Sequence, residues 1–285
     1  MDTDEYFLKI SEYCNFNVNC INEVLNDRKK LRKILGIESR KELDNVWSEL
    51  IINLSDYVFR NYKKFPKDEV AQLIATTCGY DFKCMLENLK EYDMKEDMLD
   101  YLFDYLKKNY DIEPIINHII DVYSDEYAGD YSFEPEDLKG KVFSLPEVAY
   151  MEFSDRPEID AFLAMYFDEL PCTLCWDFRD MADDFIRDYE KVFGELPDDV
   201  ADKVYNKIYD LVDAIQSRVE DRFKEIAKNI YDEALNLINN NPEKYKIVGY
   251  EECLGYLCGI LDLDKIPLVR VEVEENAKEK YLLND

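Results

Sequence analysis

Glycine, histidine and positive charge are all scarce in this 285-residue chain. It holds eight glycines and one histidine, and its 35 Lys and Arg face 64 Asp and Glu, a formal net charge of −29. The sequence contains no P-loop and no Gly-x-Gly-x-x-Gly, the motifs with which backbone amides cradle phosphate. A single imidazole also excludes the sites that need several histidines, such as those of di-iron bundles and zinc deaminases.

Long apolar runs are missing as well. No stretch approaches the roughly 20 apolar residues of a membrane-spanning helix. Three of the first five residues are acidic, whereas a secretory signal begins with basic residues. We therefore expect a cytoplasmic protein. Its eight cysteines are predicted to be reduced, because free thiols are the default in a reducing compartment.

The excess of carboxylates predicts which partners the protein avoids. A net charge of −29 repels nucleic acid and anionic membrane over most of the surface, so direct binding to either is not expected. With 22 Tyr and 15 Phe, the chain is nevertheless far too aromatic for a disordered protein. The composition is that of a folded protein with a large core.

Helical periodicity dominates the chain and predicts a mainly α, multi-helix globular fold. Ser39 and Glu42 form a capping box at the start of one helix. Pro197 and Asp198 begin the longest helix, in which apolar residues recur about every 3.7 residues until the Asn-Pro near residue 241. Such a helix serves either as a central core element or as a dimer interface, and the sequence does not decide whether the protein is a homodimer.

A minor β element is predicted beside the helices. Residues 128–158 contain five Gly or Pro, and within them Lys141–Leu145 and Val148–Phe153 have strand-like composition. Valines alternate with charged residues near the C-terminus. We expect short strands near 141–153 and 268–274. The predicted organisation is a helical subdomain at 1–127, an irregular or β connector at 128–158, and a second helical subdomain at 159–285.

One short internal similarity is present. Cys14-Asn15-Phe16 followed by Cys20 matches Cys78-Gly79-Tyr80 followed by Cys84 at a constant offset of 64 residues. Chance or a shared turn that leads into a helix explains it equally well.

The candidate catalytic groups have structural explanations. His118 stands among isoleucines, which favours a structural histidine. Cys172 and Cys175 form the only CxxC, next to carboxylates that raise thiol pKa values rather than lower them. Whether this pair binds metal together with Cys253 and Cys258 stays open. No catalytic residue, cofactor or metal ligand is predicted.

The segment from Asp121 to Asp137 is the predicted partner-binding surface. It combines seven carboxylates with interleaved aromatic rings and has no Lys or Arg. Its rings either contact a partner or attach the segment to the protein body. The predicted residues are Asp121, Asp125, Glu126, Asp130, Glu134, Glu136, Asp137, Tyr123, Tyr127 and Tyr131.

A second acidic set lies at helical spacing: Asp177, Asp180, Asp184 and Asp188. At about 1.5 Å rise per residue these carboxylates stand roughly 5.5 Å apart, against about 3.4 Å between phosphates of one DNA strand. The carboxylates of one such stripe are too far apart to imitate a nucleic acid. Several stripes on adjacent helices would together be dense enough.

These features favour a non-enzymatic, acidic helical interaction protein. Its partner would be a basic protein, and we expect an inhibitor that occupies a nucleic-acid-binding groove, as in viral counter-defence. Two alternatives remain. One is a carboxylate-dependent Mg²⁺ or Mn²⁺ enzyme, such as a helical nucleotide hydrolase. The other is a structural subunit of a larger assembly.

Overall fold

A computed structural model of the chain describes residues 3–127, 138–167, 171–251, 258–259 and 268–274. These residues form twelve α-helices, one short 3-10 turn and three strands. The prediction of a mainly α protein with a minor β element is confirmed. None of the described helices combines the length and apolar composition that a bilayer crossing requires.

The helices are α1 Thr3–Tyr13, α2 Val18–Asn26, α3 Arg28–Leu35, α4 Arg40–Arg60, α5 Lys67–Thr77, α6 Phe82–Glu91, α7 Lys95–Asn109, α8 Glu113–Tyr127, α9 Leu145–Phe153, α10 Pro157–Phe167, α11 Pro171–Phe193 and α12 Asp198–Asn240. The 3-10 turn is Tyr62–Lys64. The strands are β1 Val142–Ser144, β2 Tyr245–Glu251 and β3 Leu268–Val273.

The two strongest helix predictions are confirmed. The Ser39 hydroxyl accepts a hydrogen bond from the Glu42 amide at 3.4 Å, and α4 begins at the next residue. The longest helix is α12, whose 43 residues extend about 65 Å. Its apolar stripe is buried at every described position from Ile208 to Phe223 that the periodicity selects.

The three strands form one antiparallel sheet in the order β1-β3-β2. In β3 the side chains of Val269, Val271 and Val273 are buried while Arg270 is exposed, as the alternation predicts. The sequence did not indicate β2, because its apolar residues run together without alternation. A register shift between Ile247 and Gly249 interrupts its pairing with β3.

The predicted strand at Val148–Phe153 is wrong, since these residues belong to α9. The cause is a second capping box, in which the carboxylate of Glu147 accepts hydrogen bonds from the Ser144 amide at 2.6 Å and the Ser144 hydroxyl at 2.8 Å. Pro146 lies in the first turn, where it costs no hydrogen bond. Only β1, next to this cap, is a strand.

The chain divides into two compact units. Unit 1 comprises Met1–Asp111 and Asp180–Ile215, and unit 2 comprises Ile112–Arg179 and Gln216–Asp285. The core of unit 1 lies between α1–α7 and the buried residues of α11 and α12, whereas unit 2 contains the sheet, α8, α9 and α10. The three-part division expected from the sequence stays a prediction.

The short similarity at an offset of 64 residues corresponds to a repeated turn in unit 1. We call this turn the cysteine knuckle, residues 10–21 in its first copy and 74–85 in its second. Six hydrogen bonds recur at the same offset in both copies. One of them joins the Cys20 amide to the Asn17 side chain at 2.8 Å, and its counterpart joins the Cys84 amide to the Asp81 side chain at 2.7 Å. The shared turn is therefore real.

Each knuckle reverses the chain through two consecutive left-handed residues. The φ angles are 50° and 58° at Asn15 and Phe16, and 56° and 64° at Gly79 and Tyr80. Left-handed backbone costs about 1–2 kcal/mol for a residue with a Cβ. This reversal brings the flanking cysteines together in both copies.

The prediction that all cysteines are reduced is wrong. Disulfides join Cys14 to Cys20 and Cys78 to Cys84, with Cα–Cα distances of 5.6 and 5.7 Å. Cys258 is disulfide-bonded too, and its partner is outside the described side chains. The physical reason is local, because the left-handed pair folds six-residue separations back to a distance that a disulfide spans.

We therefore expect at most two of the eight cysteines to react with a thiol reagent after denaturation without reductant, since six take part in the three bonds. Mass spectrometry of an alkylated digest checks the pairing. As a control, the reduced chain should give eight thiols. Eight reactive thiols without reductant would contradict the observed pairing.

Candidate functional site

The predicted partner-binding segment is only partly described. Asp121 is exposed on α8, and the helical backbone continues to Tyr127, so the first seven residues of the segment are helix rather than loop. The side chains of Tyr123, Asp125, Glu126 and Tyr127 lie outside the described part. So do all atoms of the remaining predicted residues, Asp130, Tyr131, Glu134, Glu136 and Asp137.

The other candidate groups are not brought together. His118 is exposed on α8 between the buried Ile116 and Ile119, so it is not a core histidine. Cys172 and Cys175 fall in the first turn of α11, with side chains outside the described residues. In the part of the chain that is described, no group of three or more His, Cys, Asp or Glu is arranged to hold a metal ion.

An acidic hairpin lies in unit 1. We use this name for residues 180–215, the unit 1 part of α11 and α12, which contains eleven Asp or Glu and four Lys or Arg. The two helices lie side by side here, because the Tyr205 hydroxyl donates to the Glu190 carboxylate. Exposed carboxylates belong to both helices: Asp180, Asp183, Asp184, Asp202, Asp210 and Asp213.

The helix α11 has an apolar face opposite its exposed carboxylates, on which Met181 is half-buried. Phe178, Ala182, Phe185 and Tyr189 are all buried, and Phe185 stacks on Phe82 with a ring-centroid distance of 4.1 Å. Burial of this face fixes the acidic residues on the outer side of the helix. The outward orientation of these carboxylates thus follows from core packing.

Tyrosine hydroxyls donate to carboxylates in both units, in addition to the cations that these carboxylates contact. In unit 1 Tyr62 donates to Asp97 at 2.6 Å and Tyr92 donates to Asp56 at 2.9 Å. In unit 2 the nearly buried Glu152 accepts from Tyr245 at 2.5 Å and pairs with Lys244 at 2.6 Å. A phenol is a strong donor that brings no charge.

These contacts shift the titration of both partners. Burial, followed by the hydrogen bond to Asp97, raises the pKa of Tyr62 to about 12. The hydrogen bond from Tyr62 in turn lowers the pKa of Asp97, helped by Lys67 and Lys63. Both shifts favour the neutral phenol beside the ionised carboxylate.

Unit 2 contains a cavity of about 310 Å³ between α8, α12 and the residues that begin α10. Its apolar lining, which we call the floor, consists of Ile116, Ile120 and Ile226. Its walls carry five charged side chains and two amides: Arg156, Arg222, Glu113, Glu158, Glu233, Asn117 and Asn229.

The three glutamates of this cavity come from three different helices, but they face arginines rather than one another. Arg156 contacts Glu158 at 2.9 Å and Glu233 at 2.5 Å. Arg222 lies 3.6 Å from Glu113 and 2.7 Å from Glu225. The cavity is therefore a set of charge pairs around an apolar floor.

A basic groove in unit 1 was not found by sequence reasoning. It has a volume of about 460 Å³, and α1 and α3 form its two sides. Its lining contains three lysines, one aromatic ring and a single carboxylate: Lys9, Lys30, Lys33, Tyr13, Ile34 and Glu12. The signal was available in the sequence, because Arg28 to Lys41 contains seven Lys or Arg and only one acidic residue, Glu38.

Comparisons of the chain with protein-family models, with curated proteins and with solved structures find no match. The chain's own residues define the class, a mainly α-helical protein in two units with charged surfaces of both signs.

The Tyr62–Asp97 contact predicts a loss of stability in alkali. The pKa of the phenol is raised from 10.0 to about 12, so its contribution is complete below pH 10 and is lost as the pH rises towards 12. We expect the free energy of unfolding, measured with urea between pH 8 and about 11, to fall less steeply for Tyr62→Phe. Tyr101→Phe, at a residue 46% exposed, is the control and should keep the wild-type slope. Identical slopes for all three proteins would contradict this assignment.

Proposed function

We propose that this protein is a non-enzymatic interaction protein that binds a basic partner through its acidic surface. The observation that carries the proposal is the acidic hairpin, whose sequence contains eleven Asp or Glu against four Lys or Arg and whose two helices expose six of these carboxylates in the described part. The partner that fits it best is a nucleic-acid-binding protein, whose basic groove the carboxylates would occupy. An inhibitor in viral counter-defence would act in this way.

Charge spacing supports this choice of partner. Between Asp180 and Asp188, which are about 12 Å apart along the axis of α11, the helix carries four Asp, with Asp183 and Asp184 between the ends. That is about 4 Å of helix axis per carboxylate, against roughly 3.4 Å between phosphates of one DNA strand. Asp184 and Asp188 also contact Arg187 and Lys191, which reduces the net charge. The neighbouring α12 adds Asp210 and Asp213.

Complementary charge acts mainly on the rate of association. Opposite charges steer two proteins together and make binding dependent on salt, while buried aromatic contacts provide most of the affinity. The segment Asp121–Asp137, with its tyrosines, would provide a second contact of the same kind in unit 2.

The location of such a partner depends on the thiols. The expectation of a cytoplasmic protein came with a prediction of reduced cysteines, whereas five cysteines of the described part are disulfide-bonded. Disulfides persist in oxidising compartments. A cytoplasmic location therefore stays a prediction, and a partner in an oxidising compartment fits the paired cysteines better.

The unit 2 cavity favours a second candidate, the carboxylate-dependent metal enzyme. In this cavity, glutamates from three helices, Glu113, Glu158 and Glu233, line a common space. Each of these carboxylates already contacts an arginine, which is why we place the interaction function first.

Four neutral substitutions in the acidic hairpin test the first proposal: Asp180→Asn, Asp183→Asn, Asp210→Asn and Asp213→Asn. The probe is displacement of a labelled DNA duplex from core histones. We expect the wild-type chain to displace the duplex at low salt and the quadruple variant to need at least about fivefold more protein, because each lost charge weakens steering and attraction. Folding should be unchanged, since exposed carboxylates contribute little to stability.

The matched control is a second quadruple variant with the same change in net charge. It replaces exposed carboxylates of unit 1 outside the hairpin: Glu5→Gln, Glu23→Gln, Glu91→Gln and Asp104→Asn. A third variant, Asp125→Asn with Glu126→Gln, Asp130→Asn and Glu136→Gln, tests the segment in unit 2 and should also weaken displacement. If all three variants need the same amount of protein to displace the duplex, only the net charge matters and not its location. If the wild-type chain displaces no duplex, the proposal is wrong.

Thermal unfolding with divalent metal distinguishes the enzyme alternative. Our proposal expects millimolar MnCl₂ to change the melting temperature of the wild type and of a Glu158→Gln/Glu233→Gln variant by the same amount. An increase for the wild type that the variant loses would place a metal in the cavity and favour the enzyme.

A further inference from the structure

The basic groove between α1 and α3 is an exception in a chain of net charge −29. Half of the fourteen residues from Arg28 to Lys41 are basic, and all eight residues of α3 lie within that segment. The basic partner proposed above would be repelled by this groove. The lysines of the groove therefore indicate a different, negatively charged ligand.

Two of the arginines of α3 stabilise the fold rather than the groove. Arg28 pairs with Asp44 at 2.6 Å and lies over the Trp47 ring at 4.5 Å. Arg32 donates to the carbonyl oxygens of Ile37 and Glu38 at 2.9 and 2.5 Å, which closes the C-terminal end of α3. These contacts hold the helix in place while its lysines project.

The lysines and Tyr13 form the accessible part of the groove. Lys30 and Lys33 follow each other by nearly one turn of α3, and Lys9 stands opposite on α1. The Tyr13 side chain is 55% exposed, and the Lys30 ammonium lies 5.5 Å from the centre of its ring. Ile34 adds an apolar wall. The groove thus offers ammonium groups next to a flat aromatic surface.

The size of the positive patch selects the kind of anion. The eight residues of α3 extend about 12 Å, slightly more than the Debye length of about 8 Å at physiological salt. A small anion in the groove therefore senses mainly the nearby lysines. A nucleic-acid duplex would extend far beyond the patch and meet the acidic remainder of the surface, which repels it.

We propose that this groove binds a small phosphorylated molecule that carries a flat ring, of which a nucleotide is the model. The phosphates contact Lys9, Lys30 and Lys33, and the ring stacks on Tyr13 beside Ile34. Lysine recognises phosphate as a point charge, and stacking on an aromatic side chain tolerates any base. A volume of about 460 Å³ is within the range of small-molecule sites.

Glu12 is expected to weaken phosphate binding, whereas the lysines and Tyr13 strengthen it. Glu12 is the only carboxylate in the groove, and it repels phosphate at short range. The proposed contacts therefore predict changes of affinity in both directions, which a purely structural groove would not produce.

Calorimetric titration of the full chain with ATP, adenosine and inorganic phosphate tests the site. We expect ATP to bind more tightly than either fragment, since only ATP offers both phosphate and ring. Lys30→Gln with Lys33→Gln should weaken ATP binding at least about tenfold, Tyr13→Leu should weaken it about tenfold, and Glu12→Gln should strengthen it a fewfold. High salt should weaken the wild type towards the level of the lysine variant.

The control variant, Lys63→Gln with Lys64→Gln, removes the same charge from exposed residues of unit 1 outside the groove and should bind ATP like the wild type. Circular dichroism and the melting temperature confirm that each variant is folded. No ATP binding by the wild type at millimolar concentration would overturn the proposal. Equal losses in the groove and control variants would do so too, because net charge alone would then explain binding. If inorganic phosphate binds as tightly as ATP, the ring contributes nothing to affinity, and the proposed stacking on Tyr13 is wrong.

Discussion

A shortage of cations constrains this protein more than any other property of its sequence. With 64 carboxylates and 35 Lys or Arg, ion pairing alone leaves many carboxylates without a positive partner. An exposed carboxylate is satisfied by water, but one against the core needs a donor, because burying a charge without one is costly. Glu152 is such a carboxylate, and Tyr245 donates to it together with Lys244. Tyr92 and Tyr62 add donors to the half-exposed Asp56 and Asp97, which also contact cations. The 22 tyrosines are thus part of the electrostatic solution as well as of the core.

The scarce cations are concentrated rather than spread. Arg60 contacts Asp4 with two nitrogens, at 3.0 and 3.1 Å, and also Asp56 at 2.9 Å, so one guanidinium joins α1 to α4 and serves two carboxylates. In unit 2 Arg156 and Arg222 each serve two glutamates. Arginine suits this role because its donors have a fixed planar arrangement. Against this background, the lysines of the groove between α1 and α3 are conspicuous.

Periodicity and caps in the sequence predicted the helical fold because both signals are local. Ser39 and Val204–Leu237 marked their helices for this reason. Ser144 and Glu147 gave an equally local signal at α9, but the β-branched and aromatic composition of Val148–Phe153 outweighed it in the prediction. Strand β2 could not be predicted, since it exists only through pairing with β3.

The basic groove needs α1 and α3 side by side, a tertiary arrangement, although the charge run from Arg28 to Lys41 was visible. The disulfides depend on left-handed residues that composition does not reveal.

The two cysteine knuckles have a consequence for how unit 1 folds. Every bond of a knuckle joins residues at most six positions apart, so its formation needs no distant part of the chain. Loops of this size close in tens of nanoseconds, long before non-local helix packing. Closing such a short loop covalently removes roughly 2 kcal/mol of chain entropy from the unfolded state, which is comparable to the cost of the left-handed residues. An oxidised chain thus begins folding with two preformed corners, α1 to α2 and α5 to α6, and the search that remains is the docking of two similar helix pairs around one core.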